Sequence, residues 1–128
     1  MKKGLIAPCG MNCNLCIAHL REKKRCLGCR AGNENKSNSC IKCYIKNCGI
    51  MKNNSLKFCS KKCEKFPCLK LKNLDKRYKS KYMMSMLENL EIIDKKGITK
   101  FLEGERRRWI RGGKVFCVHN KRYYPLKS

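Results

Sequence analysis

The sequence predicts a small metal-stabilised fold, mainly α, with irregular cysteine-rich loops and a short C-terminal β-hairpin. Three observations carry this. The chain has 128 residues and 12 cysteines, and eleven of the cysteines fall between Cys9 and Cys68. Apolar residues make up 42 %, but that share includes the cysteines. The rest is thin for a chain of this size, so something besides a core must hold it together. Apolar residues also recur at helical spacing through the second half, while valine and threonine are too scarce for a large sheet.

The elements follow in order. Residues 12–24 read as a short helix with Leu15 and Ala18 inward, Cys16 and His19 on the same side, and Arg21 to Arg25 outside. Residues 31–39, rich in Gly, Asn and Ser, form a polar loop. Helix is expected again over 40–51, where Ile41, Tyr44, Ile45 and Cys48 recur at helical spacing. The stretch 52–66 reads as irregular and wrapped on metal. Pro67 suits a first helical turn, and Leu71, Leu74 and Tyr78 mark the buried face that follows. Met83, Met86, Leu87, Leu90 and Ile93 stripe a second helix, closed by Lys95-Lys96-Gly97. Ile98, Phe101, Leu102 and Trp109 stripe a third. A Gly-Gly turn and a hairpin over 113–126 end the chain. Residues 1–68 are thus a cysteine-rich metal-binding region. Residues 69–128 are a basic helical tail ending in a hairpin, packed with it as one domain.

The opening Met-Lys-Lys is followed by an apolar run too short for a signal peptide, and no run is long enough to span a membrane. The expected compartment is the cytoplasm, where clustered cysteines bind metal more often than they form disulfides. The spacing is C-x3-C-x2-C (Cys9, Cys13, Cys16), C-x2-C (Cys26, Cys29), C-x2-C-x4-C (Cys40, Cys43, Cys48) and C-x3-C-x4-C (Cys59, Cys63, Cys68). Short turns of this kind bring two thiolates to one ion, and two turns complete a tetrahedron. Cys13/Cys16 and Cys26/Cys29 stand at a workable separation, and Gly28 allows positive φ inside its turn. All-thiolate sites suit zinc, with two or three ions per chain. An iron–sulfur cluster is the alternative. Eleven thiols do not divide by four, so His19, His119, Cys117 or a bridging thiolate is needed for a third site. Otherwise Cys117 is a small buried hydrophobe, and His19 and His119 are solvated.

Several stretches together resemble a known family: Ala7-Pro8-Cys9-Gly10-Met11-Asn12-Cys13-Asn14-Leu15-Cys16, Cys26-Leu27-Gly28-Cys29-Arg30, Cys40-x2-Cys43-Tyr44-Ile45-Lys46-Asn47-Cys48 and Cys63-Glu64-Lys65-Phe66-Pro67-Cys68. They are similar to a family of small cysteine-rich bacterial and archaeal proteins catalogued as a domain of unknown function, DUF3795. The resemblance covers roughly residues 5–75 and implies a metal-binding domain with no assigned reaction. Longer relatives end in a small zinc ribbon. In the corresponding stretch, Trp109 to Tyr124, this chain keeps Gly112-Gly113 and His119 without the flanking cysteine pairs. Cys9-x3-Cys13-x2-Cys16 also has the spacing of the cluster loop in radical S-adenosylmethionine enzymes. Those enzymes need a barrel far larger than this chain.

Thirty-two Lys and Arg stand against nine Asp and Glu, a formal charge of +23. Three zinc–tetrathiolate sites would lower this to near +17, still strongly basic. Such a surface draws nucleic acid, anionic lipid or an acidic protein, or is simply a solvated face on which lysine fills every permissive position. Arg106, Arg107, Arg108 and Arg111 beside Trp109 are the expected nucleic-acid residues; Trp109 itself reads first as a core anchor beside Ile98 and Leu102, and otherwise as a ring that stacks on a base. The Met83/Met84/Met86 stripe reads as core rather than a soft-metal groove. No Ser-His-Asp set, P-loop, dinucleotide fingerprint or spaced carboxylate pair is present, so the protein is expected not to be an enzyme. Three functions follow in order. The first is a zinc-binding protein with a basic binding surface, and the second a metal- or redox-handling protein. The third is a zinc hydrolase using His19 or Glu22 as base.

Overall fold

The computed structural model describes residues 1–125. They are mainly helical, with one small antiparallel sheet at the C-terminal end. Two 3-10 turns, Lys3–Leu5 and Cys13–Leu15, precede α1 (Ile17–Leu20), α2 (Asn38–Ile41) and α3 (Gly49–Asn53). Three longer helices follow: α4 (Leu69–Tyr82), α5 (Met86–Lys96) and α6 (Ile98–Trp109). The sheet orders β1 (Ile110–Arg111), β2 (Lys114–Phe116) and β3 (Tyr123–Pro125) side by side. Among the described residues no helix is long and apolar enough to cross a membrane.

The three long helices follow the apolar stripes. Leu71 faces inward from α4, Met86 and Leu90 from α5, and Phe101, Leu102 and Trp109 from α6. Each such burial contributes about 1.5–3 kcal/mol. Leu15, Ile45 and Met51 of the cysteine-rich half join the same cluster as Leu71, Leu90, Trp109 and Val115. Ile6 packs separately on Phe101 and Leu102.

The expected helices of the first half are shorter than their spacing suggests. Residues 12–24 divide into the Cys13–Leu15 turn and the four residues of α1. The stretch 40–51 divides into α2, a turn, and α3. Tyr44, expected inward, is exposed. Buried apolar residues are too sparse here to carry a continuous helix. Residues 21–44 bury only Gly28, and residues 52–70 bury nothing.

Met83 is not part of the α5 stripe. It caps α4 in the left-handed region at φ 53° and is 65 % exposed. The second helix begins instead after Ser85, whose hydroxyl accepts from the Glu88 amide at 3.1 Å. Pro67 lies just outside α4, whose N-cap is Cys68. Gly112-Gly113 closes a two-residue turn between β1 and β2, with Ile110 opposite Val115. The expected hairpin is therefore a three-strand meander starting earlier, at Ile110. Its expected last residue, Leu126, lies outside the described residues.

Candidate metal centre and basic surface

Each cysteine cluster is placed by a turn. Ala7–Met11 closes through the Ala7 amide on the Met11 carbonyl at 2.8 Å, and the Gly10 amide donates to the Ala7 carbonyl at 2.9 Å. Gly10, at φ 90°, leaves no room for a side chain. A Cβ there would lie 3.0 Å from Leu90 Cγ and from the Met86 carbonyl. The next turn needs glycine for the same reason. Gly28 has φ 112°, and a Cβ would sit 2.6 Å from Leu5 Cδ2. The positive φ expected between Cys26 and Cys29 is present.

The thiols fall into two neighbourhoods. In the first, Cys13 interacts electrostatically with Cys16, Cys9 and Cys29, and Cys16 with Cys26 and Cys40. Cys9 interacts with Cys29 and Cys43, which joins seven thiols, and also with Cys59 of the second neighbourhood. In the second, Cys48, Cys59, Cys63 and Cys68 line one cavity of about 30 Å³ with Met51 and Phe66. There the Cys59 thiol lies 3.5 Å from the Met51 sulfur. The two neighbourhoods meet at Cys59, which interacts with both Cys9 and Cys43. All eleven are free thiols, as is Cys117, which is fully buried. Among the described residues no three Cys, His, Asp or Glu side chains converge into a ready-made coordination shell.

Burial sets the protonation of these groups. It pushes the Cys9 thiol up to about 12, partly offset by the Met11 backbone amide. Cys59 is likewise pushed up to about 12 by burial and by Cys68, Cys48 and Cys63. Cys13, Cys16 and Cys29 move in the same direction, burial first. Backbone amides of Ala18 and His19 pull Cys16 back down. Without a cation these sulfurs hold their protons at neutral pH, and a cation that displaces them would release acid.

His19 is buried rather than solvated, at 6 % exposure. Its Nδ1 lies 2.8 Å from the Cys26 carbonyl, and its Nε2 lies 3.3 Å from Arg25 Nη2. Glu22, the other candidate base, is exposed. Cys117 follows the end of β2 at Phe116, and His119 lies in the turn beyond it. His119 is half-buried, not solvated. Its ring meets Tyr82 edge-on at 4.9 Å, and its Nε2 lies 3.5 Å from the Tyr78 hydroxyl.

Of the expected nucleic-acid cluster, Arg106, Arg107, Arg108 and Arg111 are exposed and Trp109 is buried. Trp109 is 6 % exposed, stacks on Phe116 at 5.6 Å and donates its Nε1–H to Glu105 Oε2 at 3.1 Å. Its ring is thus core, because the end of α6 turns it toward β2, and Arg108 lies 4.4 Å over it. Arg108 donates to the Met83 carbonyl at 2.6 Å, Arg106 to the Met1 carbonyl at 3.2 Å, and Arg111 to the Arg107 carbonyl at 2.7 Å. Arg30 does the same on the Ile6 carbonyl at 2.9 Å. Many of the arginines staple loops together.

Two buried polar groups carried no sequence signal. Asp75 Oδ1 accepts from the Ser85 hydroxyl at 2.6 Å and from the Leu87 amide at 3.1 Å. Glu105 accepts from Asn12 Nδ2 at 3.3 Å as well as from Trp109, and burial raises its pKa. Periodicity cannot report polar residues buried by pairing across 93 positions. No protein-family model, curated protein or solved structure matches this chain.

Proposed function

We propose that this chain is a small zinc-binding protein whose thiolate loops are organised by metal, and that it presents a basic surface to an anionic partner. The observation that carries the reading is the lining of one cavity by Cys48, Cys59, Cys63 and Cys68, with the other seven N-terminal thiols grouped beside it and joined to it through Cys59. Four thiols make one zinc site: Cys48, Cys59, Cys63 and Cys68. Seven thiols with His19 supply eight ligands for two more. His19 Nδ1 lies against the Cys26 carbonyl and its Nε2 against Arg25 Nη2, so as a ligand its Nε2 would exchange Arg25 for the ion.

The donor chemistry fits zinc, which takes sulfur and imidazole tetrahedrally. Metal would also supply what the loops lack. Residues 21–44 and 52–70 hold seven of the twelve cysteines and bury no apolar side chain. Their ordering therefore needs cross-links rather than core. Zinc would draw each set inward from its present spacing as it displaces the thiol protons.

The test is elemental analysis and visible absorption of protein purified without oxygen. Colourless protein with three zinc per chain is expected. Cys63→Ser/Cys68→Ser should lower the content by one zinc, and His19→Ala should weaken retention of one. Brown protein carrying iron and sulfide would replace this reading with a cluster-based redox one, and protein without metal would remove it.

A further inference from the structure

We infer that the outer face of α4 is a docking surface for the phosphate backbone of B-form DNA, with the helix lying in the major groove. Six of its fourteen residues are exposed cations: Lys70, Lys72, Lys76, Arg77, Lys79 and Lys81. Its one acid, Asp75, is buried and turned toward Ser85. Among the described residues only Lys79 of the six has a carboxylate within ion-pair distance, Asp75 at 3.9 Å. Lys70 lies 5.7 Å over the exposed Tyr44 ring. In the arginine cluster at the end of α6, Arg106, Arg108 and Arg111 each also donate to a backbone carbonyl. Arg108 also ties α6 to the end of α4 through Met83.

The cations form two rows. At 3.6 residues per turn, Lys72, Lys76 and Lys79 fall on one shoulder, and Lys70, Arg77 and Lys81 on the other. Asn73 and Ser80, both exposed, lie on the ridge between them, with exposed Leu69 at its N-terminal end. A helix of this length runs about 21 Å. Two cation rows with a polar ridge between match a duplex groove. Each row meets the phosphates of one strand, and the ridge faces the base edges. The B-form major groove, about 12 Å wide, admits a helix, whereas that of A-form RNA does not.

Other anionic partners fit less well. The exposed large apolar residues near this face are Leu69 at the start of α4 and Met83 just past its end. A membrane-surface helix needs an apolar face between such points. A protein interface needs buried anchors and is depleted in lysine.

The inference rests on the basic-surface half of the function proposed above and not on its metal half. The test is binding of the purified full chain to a 16-base-pair DNA duplex of arbitrary sequence, measured by fluorescence anisotropy across a salt series. With all six cations engaged, the slope of log affinity against log salt should be near −5, and Lys72→Gln/Lys76→Gln/Lys79→Gln should flatten it by roughly 3. The same variant should bind at least tenfold more weakly at low salt. Lys23→Gln/Lys24→Gln/Lys52→Gln removes equal charge outside α4 and should change affinity less than threefold. Equal loss in both variants would overturn the inference, as would an unchanged slope. So would tighter binding of an RNA duplex, anionic vesicles or polyglutamate of matched charge. Zinc content measured on the same samples keeps this outcome separate from failure of the metal reading.

Discussion

Asp75 joins α4 to α5 through a charge-assisted pair of hydrogen bonds, from the Ser85 hydroxyl and the Leu87 amide at the start of α5. Hydrogen bonds to charged groups contribute about 1.5–3 kcal/mol, and their loss leaves a buried donor unpaired. Asp75→Ala should therefore lower unfolding stability by about 2–3 kcal/mol in a denaturant titration. His119 adds a pH dependence. The Ile17 amide donates to its Nδ1 at 3.5 Å, so the proton sits on Nε2 beside Tyr78. Burial lowers its pKa below the ordinary 6.5. A histidine depressed on folding contributes stability that is present above its unfolded pKa and is lost as pH falls through the folded value. The protein should thus lose stability on acidification below about pH 6.5, more steeply than His119→Gln. Parallel thermal melts of both proteins between pH 7.5 and 5 check this, and their difference cancels any metal loss common to the two.

The second half of the chain illustrates what periodicity can and cannot report at the scale of elements. Leu71, Leu90, Phe101 and Leu102 bury as their spacing demands, because an amphipathic stripe and a packed helix are the same fact. Lys95-Lys96-Gly97 ends α5 as read. Met83 misleads because apolarity alone cannot tell a core position from a cap. The Ser85-x-x-Glu88 box was the available signal for the true helix start. In the first half the helical recurrence of Ile41, Tyr44 and Cys48 is incidental, since turns around thiols rather than a buried face set those positions. The same stretch nonetheless made the sulfur clusters legible. How they group was not, because Cys9 and the thiols it interacts with, Cys29, Cys43 and Cys59, come from turns far apart in sequence. Met83 also yields a prediction. A non-glycine residue in the left-handed region costs about 1–2 kcal/mol, and glycine gives back about 0.5–1 of that in chain entropy. With its side chain exposed, Met83→Gly should raise stability by about 0.5–1 kcal/mol, read as a higher denaturation midpoint at unchanged slope.

For the whole molecule, the decisive contrast is between where apolar surface is buried and where sulfur is found. Buried side chains concentrate in residues 5–20 and 71–118, with Ile45 and Met51 as isolated anchors. The loops between them are ordered by turns, by arginines on carbonyls and, in the function proposed here, by zinc. Stability should then be uneven. Local opening is governed by how few buried contacts a segment has, and metal affinity is folding free energy only for the segments it ties. Chelation at neutral pH under reducing conditions should make amides in residues 21–44 and 52–68 exchange at near-unprotected rates. Amides of α5 and α6, behind Leu90, Phe101 and Leu102, should keep their protection. Residues 5–20 carry both core side chains and Cys9, Cys13 and Cys16, so their protection should fall part way. Hydrogen-exchange mass spectrometry with and without chelator reads all three regions in one experiment. Uniform loss along the chain would mean that metal supports the helical core as well as the loops. Unchanged protection in the loops would mean that the turns and arginine staples suffice without it.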